Sequence, residues 1–212
     1  MKMSIWRRLN ATLAILIGLL LLAGGLAWWI ERTLSEADHT SEVLNAANYR
    51  ILYNLSRMNH SFRALLTDQR LEAATNTLHE AEKDLLSALE GLREGFPGQP
   101  GLGSSLQNLQ DFVLRTSSPF RGRLVELAQS DSVAADAFYR DGFPAIQERR
   151  DQLLADFKRQ IQSVTDADAI HAQRTAVIGL VCIVAVCLGA MVVARFQSTA
   201  VTVPLNQLVA AL

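Results

Sequence analysis

ATLAILIGLLLLAGGLAWWI, residues 11–30, and TAVIGLVCIVAVCLGAMVVA, residues 175–194, decide how the rest of the chain must be read. Neither stretch contains Asp, Glu, Lys or Arg. Each is about 20 residues, the length of helix that crosses a hydrocarbon core of about 30 Å. Between them lies a polar segment, residues 31–174, of single-domain size. Its charges alternate in sign rather than forming blocks, so it reads as folded and solvated.

The 212 residues carry a formal net charge of −1. That balance argues against a nucleic-acid binder, which normally shows a basic face or tail, so no nucleic-acid partner is expected. The only cysteines, Cys182 and Cys187, fall inside the second apolar stretch. Five residues apart on a helix, they point to different faces and do not suit an intrahelical disulfide. The segment between the stretches is free of thiols, which suits an oxidising compartment.

The flanks give an orientation. Lys2, Arg7 and Arg8 precede the first stretch and Arg195 follows the second; short basic flanks stay on the cytoplasmic side. Trp28 and Trp29, at the far end of the first stretch, suit the membrane interface. The expected layout is a cytoplasmic N-terminus (1–10), a first span (11–30), an outer domain (31–174), a second span (175–194) and a cytoplasmic segment (195–212). In a bacterium this is a two-pass inner-membrane protein with residues 31–174 periplasmic. A cleaved signal peptide is the competing reading of the first stretch, because Ala23, Gly24, Gly25 and Ala27 are small.

The outer domain reads as all-α. Leu44, Ala47, Ile51, Leu55, Met58, Phe62 and Leu65 recur at three-four spacing, and so do Leu71, Ala74, Leu78, Ala81, Leu85, Ala88 and Leu92. Gly95, Pro97, Gly98, Pro100, Gly101 and Gly103 then mark a loop. A third run follows in Leu106, Leu109, Val113, Thr116, Phe120 and Leu127, with Pro119 expected to kink or split it. A fourth, Ile146, Leu153, Phe157, Ile161 and Val164, leads toward the second stretch, its start expected at Asp141-Gly142-Phe143-Pro144. Four amphipathic helices predict an antiparallel up-down bundle. Its outer pair has no breaker before the membrane stretches, so each becomes one long rod. After Arg195, Pro204 with Leu205, Leu208 and Leu212 predicts the front of a new amphipathic helix, cut short as in the front of a longer receptor.

No catalytic set is legible. His39, His60, His79 and His171 lack metal-ligand spacing and no Gly-rich phosphate loop follows a strand, so neither an enzyme, a metal nor a cofactor is expected. The informative residues lie on the first bundle helix. Arg50, Asn54, Arg57 and Ser61 form a polar stripe beside the apolar seam, and Arg63 lies roughly 120° round the helix from Arg57. One helix cannot aim both arginines at a single small ligand, whereas two copies meeting at a twofold axis can. A guanidinium fork suits a carboxylate. The plain alternative is that these arginines pair with exposed acids or cover the surface with their stems.

Taken together, the chain resembles the bacterial methyl-accepting chemotaxis receptors of the aspartate and serine receptor type. The resemblance spans nearly the whole segment. It rests on two spans around a helical sensor, Gly24-Gly25-Leu26, Asn54-Leu55-Ser56-Arg57, Asp136-Ala137-Phe138 with Gln147, and Pro204-Leu205-Asn206-Gln207-Leu208. It implies a homodimer that holds a small carboxylate between the two first helices. It implies a relay module after the second span, reaching a cytoplasmic coupling protein and histidine kinase. Arg57 and Arg63 correspond best to the family's ligand-holding arginines, with Arg50, Asn54 and Ser61 as neighbours. Phe143 stands where the family's ligand-gripping threonine is expected, and Phe138 and Asp141 where backbone carbonyls accept an ammonium. With Tyr139 beside them, these rings predict a carboxylate bearing a ring or another apolar body. The rival readings are the front of a sensor histidine kinase or diguanylate cyclase, and a module that reads a protein partner.

N-terminal sequencing of the membrane-extracted protein distinguishes the two readings of residues 11–30. Met1 or Lys2 at the terminus is expected; a start after the Ala23–Ala27 region identifies a cleaved signal peptide.

Overall fold

A computed structural model describes residues 5–67 and 71–209, and every regular element among them is helical. Helix α1 runs Ile5–Thr67 and α2 Leu71–Gly95. Helix α3, Pro100–Phe112, passes through a π turn, Val113–Ser117, into α4, Ser118–Ser130. Helix α5 occupies Ser132–Val209. Lys2 and Leu212 lie outside the described residues.

The chain divides into two compact units. One comprises residues 1–38 and 168–212, the other His39–Ala167. Both α1 and α5 belong to the two units in turn, with no break in either helix at the boundary.

In the first unit, two helical stretches have mean hydropathy of 2.4 and 3.0 over their most apolar windows, long and apolar enough to cross a membrane. Thr12, Leu16, Leu19, Ala23, Leu26, Ile30, Thr33 and Ala37 are the half-buried positions of α1, spaced alternately four and three apart. Ala172, Thr175 and Gly179 are buried on α5. A Cβ on Gly179 would collide with the Ile30 side chain, so glycine permits the close approach there. At Gly189 no atom of the described residues lies within 4 Å of where a Cβ would stand. Trp28 is exposed with the Arg32 guanidinium 5.5 Å from its ring centre, and Arg32 Nε donates to Glu36 Oε1 at 2.8 Å. Cys182 and Cys187 are free and exposed.

In the second unit, four helical segments contribute to one core: α1 from Leu44 to Leu65, α2, the α3–π–α4 run, and α5 from Ala135 to Val164. The α1 seam is buried as expected, with Leu44, Ile51, Leu55, Met58, Phe62 and Leu65 in the core and Ala47 half-buried, and Asn54 and Ser61 are buried with it. Polar links tie the segments together. Arg57 Nη1 donates to Asp84 Oδ2 at 3.2 Å, and Ser105 Oγ donates to Asp156 Oδ2 at 2.7 Å. Ser118 and Arg121 on α4 both donate to the Glu82 carboxylate on α2.

Three boundaries differ from expectation, and the disturbance expected at Pro119 takes a specific form. The loop after α2 is confined to Phe96–Gln99, because Pro100 opens α3 and Gly101 and Gly103 are already helical. Proline suits a first helical turn, whose N–H groups have no partner in any case. Before Pro119 the helix neither splits nor ends but widens by a π turn, with the Ser118 N–H reaching Val113 O. An i→i−5 turn of this kind accommodates a residue that lacks an N–H and crowds the preceding turn. Helix α5 starts at Ser132, not at Asp141: Asp131 Oδ1 accepts from Val133 N and Ala134 N, each at 3.0 Å. That aspartate cap outweighs the Gly-Pro signal downstream, and α5 runs on through Gly142 and Pro144. Pro204 likewise lies within α5, which reaches Val209 without a new start.

Gly142 has a packing role. A Cβ there would sit 2.8 Å from Phe120 Cε2. The Phe120 ring is held against Phe62, Phe138 and Phe143 at centroid distances of 5.8, 4.8 and 6.4 Å, so it has little room to retreat. Gly142→Ala is expected to cost about 1–3 kcal/mol from overpacking. Gly122→Ala, where nothing lies within 4 Å, should instead gain up to about 1 kcal/mol from helix propensity. Denaturant unfolding of both variants tests the pair; equal effects would refute the packing role.

Candidate ligand-binding site

The seam of α1 dictates where its polar residues go. Asn54 and Ser61 occupy seam positions and are buried, 3% and 5% exposed, so they do not belong to an outer polar stripe with the arginines. Polar residues in a helical seam can specify register and pairing; Ser61 also borders the solvent-open depression beside Arg57. Arg50 and Arg57 lie to the side of the seam, over α2.

Two depressions open there because the facing residues are small. Arg50 lines the first, about 850 Å³ of space open to solvent, with Ala46, Ala47, Ala88 and Gly91. Arg57, His60 and Ser61 line the second, about 640 Å³, with Ala64, Ala73, Ala74 and Thr77. Arg57 is held by two acids of α2, Asp84 at 3.2 Å and Glu80 at 3.7 Å, and its guanidinium lies 5.8 Å from the Tyr53 ring centre. Arg50 and Arg63 are exposed and make no ion pair among the described residues. His79 is exposed on α2, and no group of three His, Cys, Asp or Glu that could hold a metal occurs among the described residues.

The expected aromatic lid is elsewhere. Phe143 is 6% exposed, stacks on Tyr139 at 4.5 Å and lies 5.8 Å from Phe62, while Phe138 stacks on Phe120 at 4.8 Å. Phe143 is core and Phe138 and Tyr139 pack half-buried against it, so these rings do not roof a pocket over the arginines; α5 is already helical there. Asp141 is exposed on α5. Within the unbroken helix the carbonyls of Phe138 and Asp141 are engaged by the helix itself and do not serve as acceptors for an ammonium. The structure therefore does not gather Arg50, Arg57, Arg63 and the rings into one pocket within the chain.

Sequence reasoning missed Glu82. Its side chain is 9% exposed and grips Arg121 and Ser118 beside the π turn. Burial pushes its carboxyl above the ordinary glutamate range, while Arg121 and His79 pull it back. In sequence, Glu82 is one of several acids along α2; its partners come from α4, which no local pattern signals.

No protein-family model, curated protein or solved structure matches this chain.

Two outcomes follow for stability. The acids holding Arg57 are more than half exposed, so Arg57→Ala should cost under about 1 kcal/mol in denaturant unfolding. Glu82 binds its proton more tightly when folded, so its contribution to stability is fully present below about pH 4.3, the ordinary glutamate value. That contribution is lost as pH rises through the higher folded value. Relative to wild type, Glu82→Gln should gain stability across this rise; a pH-independent difference in Tm would show that burial does not govern the carboxyl.

Proposed function

We propose that this chain is the sensory and membrane-spanning part of a homodimeric receptor that binds a small organic anion outside the cytoplasmic membrane and relays the event through α5. One observation carries the reading: α1 and α5 each join an apolar, membrane-length stretch to a core helix of the polar unit without a break. In this reading the polar unit is an antiparallel four-helix bundle in the periplasm, with both termini cytoplasmic. The basic and tryptophan flanks of the first span support that orientation.

Dimerisation draws support from α1. Tyr49, Leu52 and Tyr53 are 72%, 41% and 63% exposed, an apolar and aromatic face on the helix that carries the arginines. Pairing two such faces would bring Arg57 of one protomer toward Arg63 of its partner and complete a cationic site that a single chain leaves open. The anion class follows from guanidinium chemistry. The preference for a ring-bearing acid does not, since the aromatic side chains belong to the core. Ligand that binds one arrangement of the paired helices better than the other shifts their equilibrium by that difference alone. The resemblance to chemotaxis receptors makes a cytoplasmic coupling protein and histidine kinase the natural recipients.

Thermal unfolding of the full chain in detergent, screened against small organic acids, tests the proposal. At least one carboxylate should raise Tm in wild type and lose that effect in the Arg57→Ala, Arg63→Ala double variant. No shift with any acid, or an equal shift in the double variant, contradicts it.

A further inference from the structure

One cleft inside a single chain combines a buried polar atom in want of a partner with very little room. It lies between α1, the π turn and α5, and Phe112 and Ile146 are among its apolar walls. Asn59 of α1, Ser117 of the π turn, and Gln147 and Arg150 of α5 are its polar residues. The space open to the centre of a water molecule is about 20 Å³. A cavity needs about 10–15 Å³ of such space to hold one water, so one water fits and an organic ligand does not.

The polar groups on the wall select the occupant. Asn59 Oδ1 is buried with no hydrogen bond among the described residues. Such a group costs free energy until a donor meets it. Arg150 directs Nε and Nη2 to Asp151 Oδ1 at 2.9 and 2.8 Å, which leaves Nη1 without a partner among the described residues. Buried Ser117 adds a hydroxyl, which both donates and accepts. An acceptor oxygen repels an anion, and the Arg150 guanidinium repels a cation. What remains is a neutral donor of the size of water.

We propose that this cleft holds one ordered water molecule that bridges Asn59 of α1 to the π turn and α5. The water donates to Asn59 Oδ1, and the Ser117 hydroxyl and Arg150 Nη1 are the groups within the wall that can meet its remaining positions. Buried waters make about three hydrogen bonds, a number these residues can supply. Because water donates and accepts, it serves the Asn59 amide whichever way that amide is turned. A water bridge is enthalpically close to a direct hydrogen bond. It links the two helices that carry the membrane-length stretches through a molecule that can reorient, where a direct side-chain bond would have to break. Every wall belongs to one chain, so the bridge depends neither on dimerisation nor on the arginines of the α1 face.

A crystal structure of the full chain, fine enough to show ordered solvent, tests this. One water should stand about 2.5–3.2 Å from the Asn59 side-chain amide and within the same reach of Ser117 or Arg150. In solution, water should give the Asn59 side-chain amide protons a nuclear Overhauser effect of the sign that marks a long-lived contact. Both readouts use the wild-type chain and need no variant to fold. Asn59→Leu, which replaces the amide by an apolar group, should abolish the ordered water, and the Arg57→Ala, Arg63→Ala double variant should leave it in place. A direct hydrogen bond from a protein group to Asn59 Oδ1, ordered solvent elsewhere but none in the cleft, an Overhauser effect of the sign of freely exchanging solvent, or a water retained in Asn59→Leu overturns the proposal.

Discussion

The constraint on which the structure depends is the seam of α1. From Thr12 to Leu65 buried or half-buried positions recur alternately four and three residues apart, with Leu55 and Phe62 widening the buried stripe in the polar unit, and the recurrence continues past Ile30, where the apolar stretch ends. A seven-residue repeat keeps one face of a helix toward its neighbours and favours a left-handed supercoil. A helix of this kind has no local reason to stop between the apolar stretch and the polar unit. The stripe also sorts the polar residues: Asn54 and Ser61 are buried, Arg57 is half-buried and Arg50 is exposed.

What was legible in the sequence follows the same logic. The cores of α1 and α2 could be read because one period runs through them without competing signals. Boundaries were harder where two signals of similar strength compete. Gly142 and Pro144 suggested a start for α5, yet the Asp131 cap acts first, and the helix, once begun, tolerates both residues in a packed setting. Pro119 was expected to kink or split its helix, and the disturbance there takes the form of a π turn.

The candidate site was less legible for a different reason. Sequence spacing locates residues on one helix; it does not say what stands opposite them. Arg57 pairs with the exposed acids Asp84 and Glu80 of α2, the plain alternative for it, while Phe138 and Phe143, expected at a pocket mouth, meet Phe120 and Phe62. Glu82 gains its meaning only from Ser118 and Arg121 of α4. Those relations are long-range, and no period carries them.

Unbroken helical continuity at residues 38–39 of α1 and 167–168 of α5 is the claim on which the proposed relay rests. Hydrogen exchange of the full chain in lipid nanodiscs, resolved over residues 31–44 and 160–175, tests it most directly. The account predicts that amides across both boundaries exchange as slowly as those on either side of them. Rapid exchange confined to either boundary would reveal a hinge, and would contradict a helix that carries motion from the polar unit into the membrane.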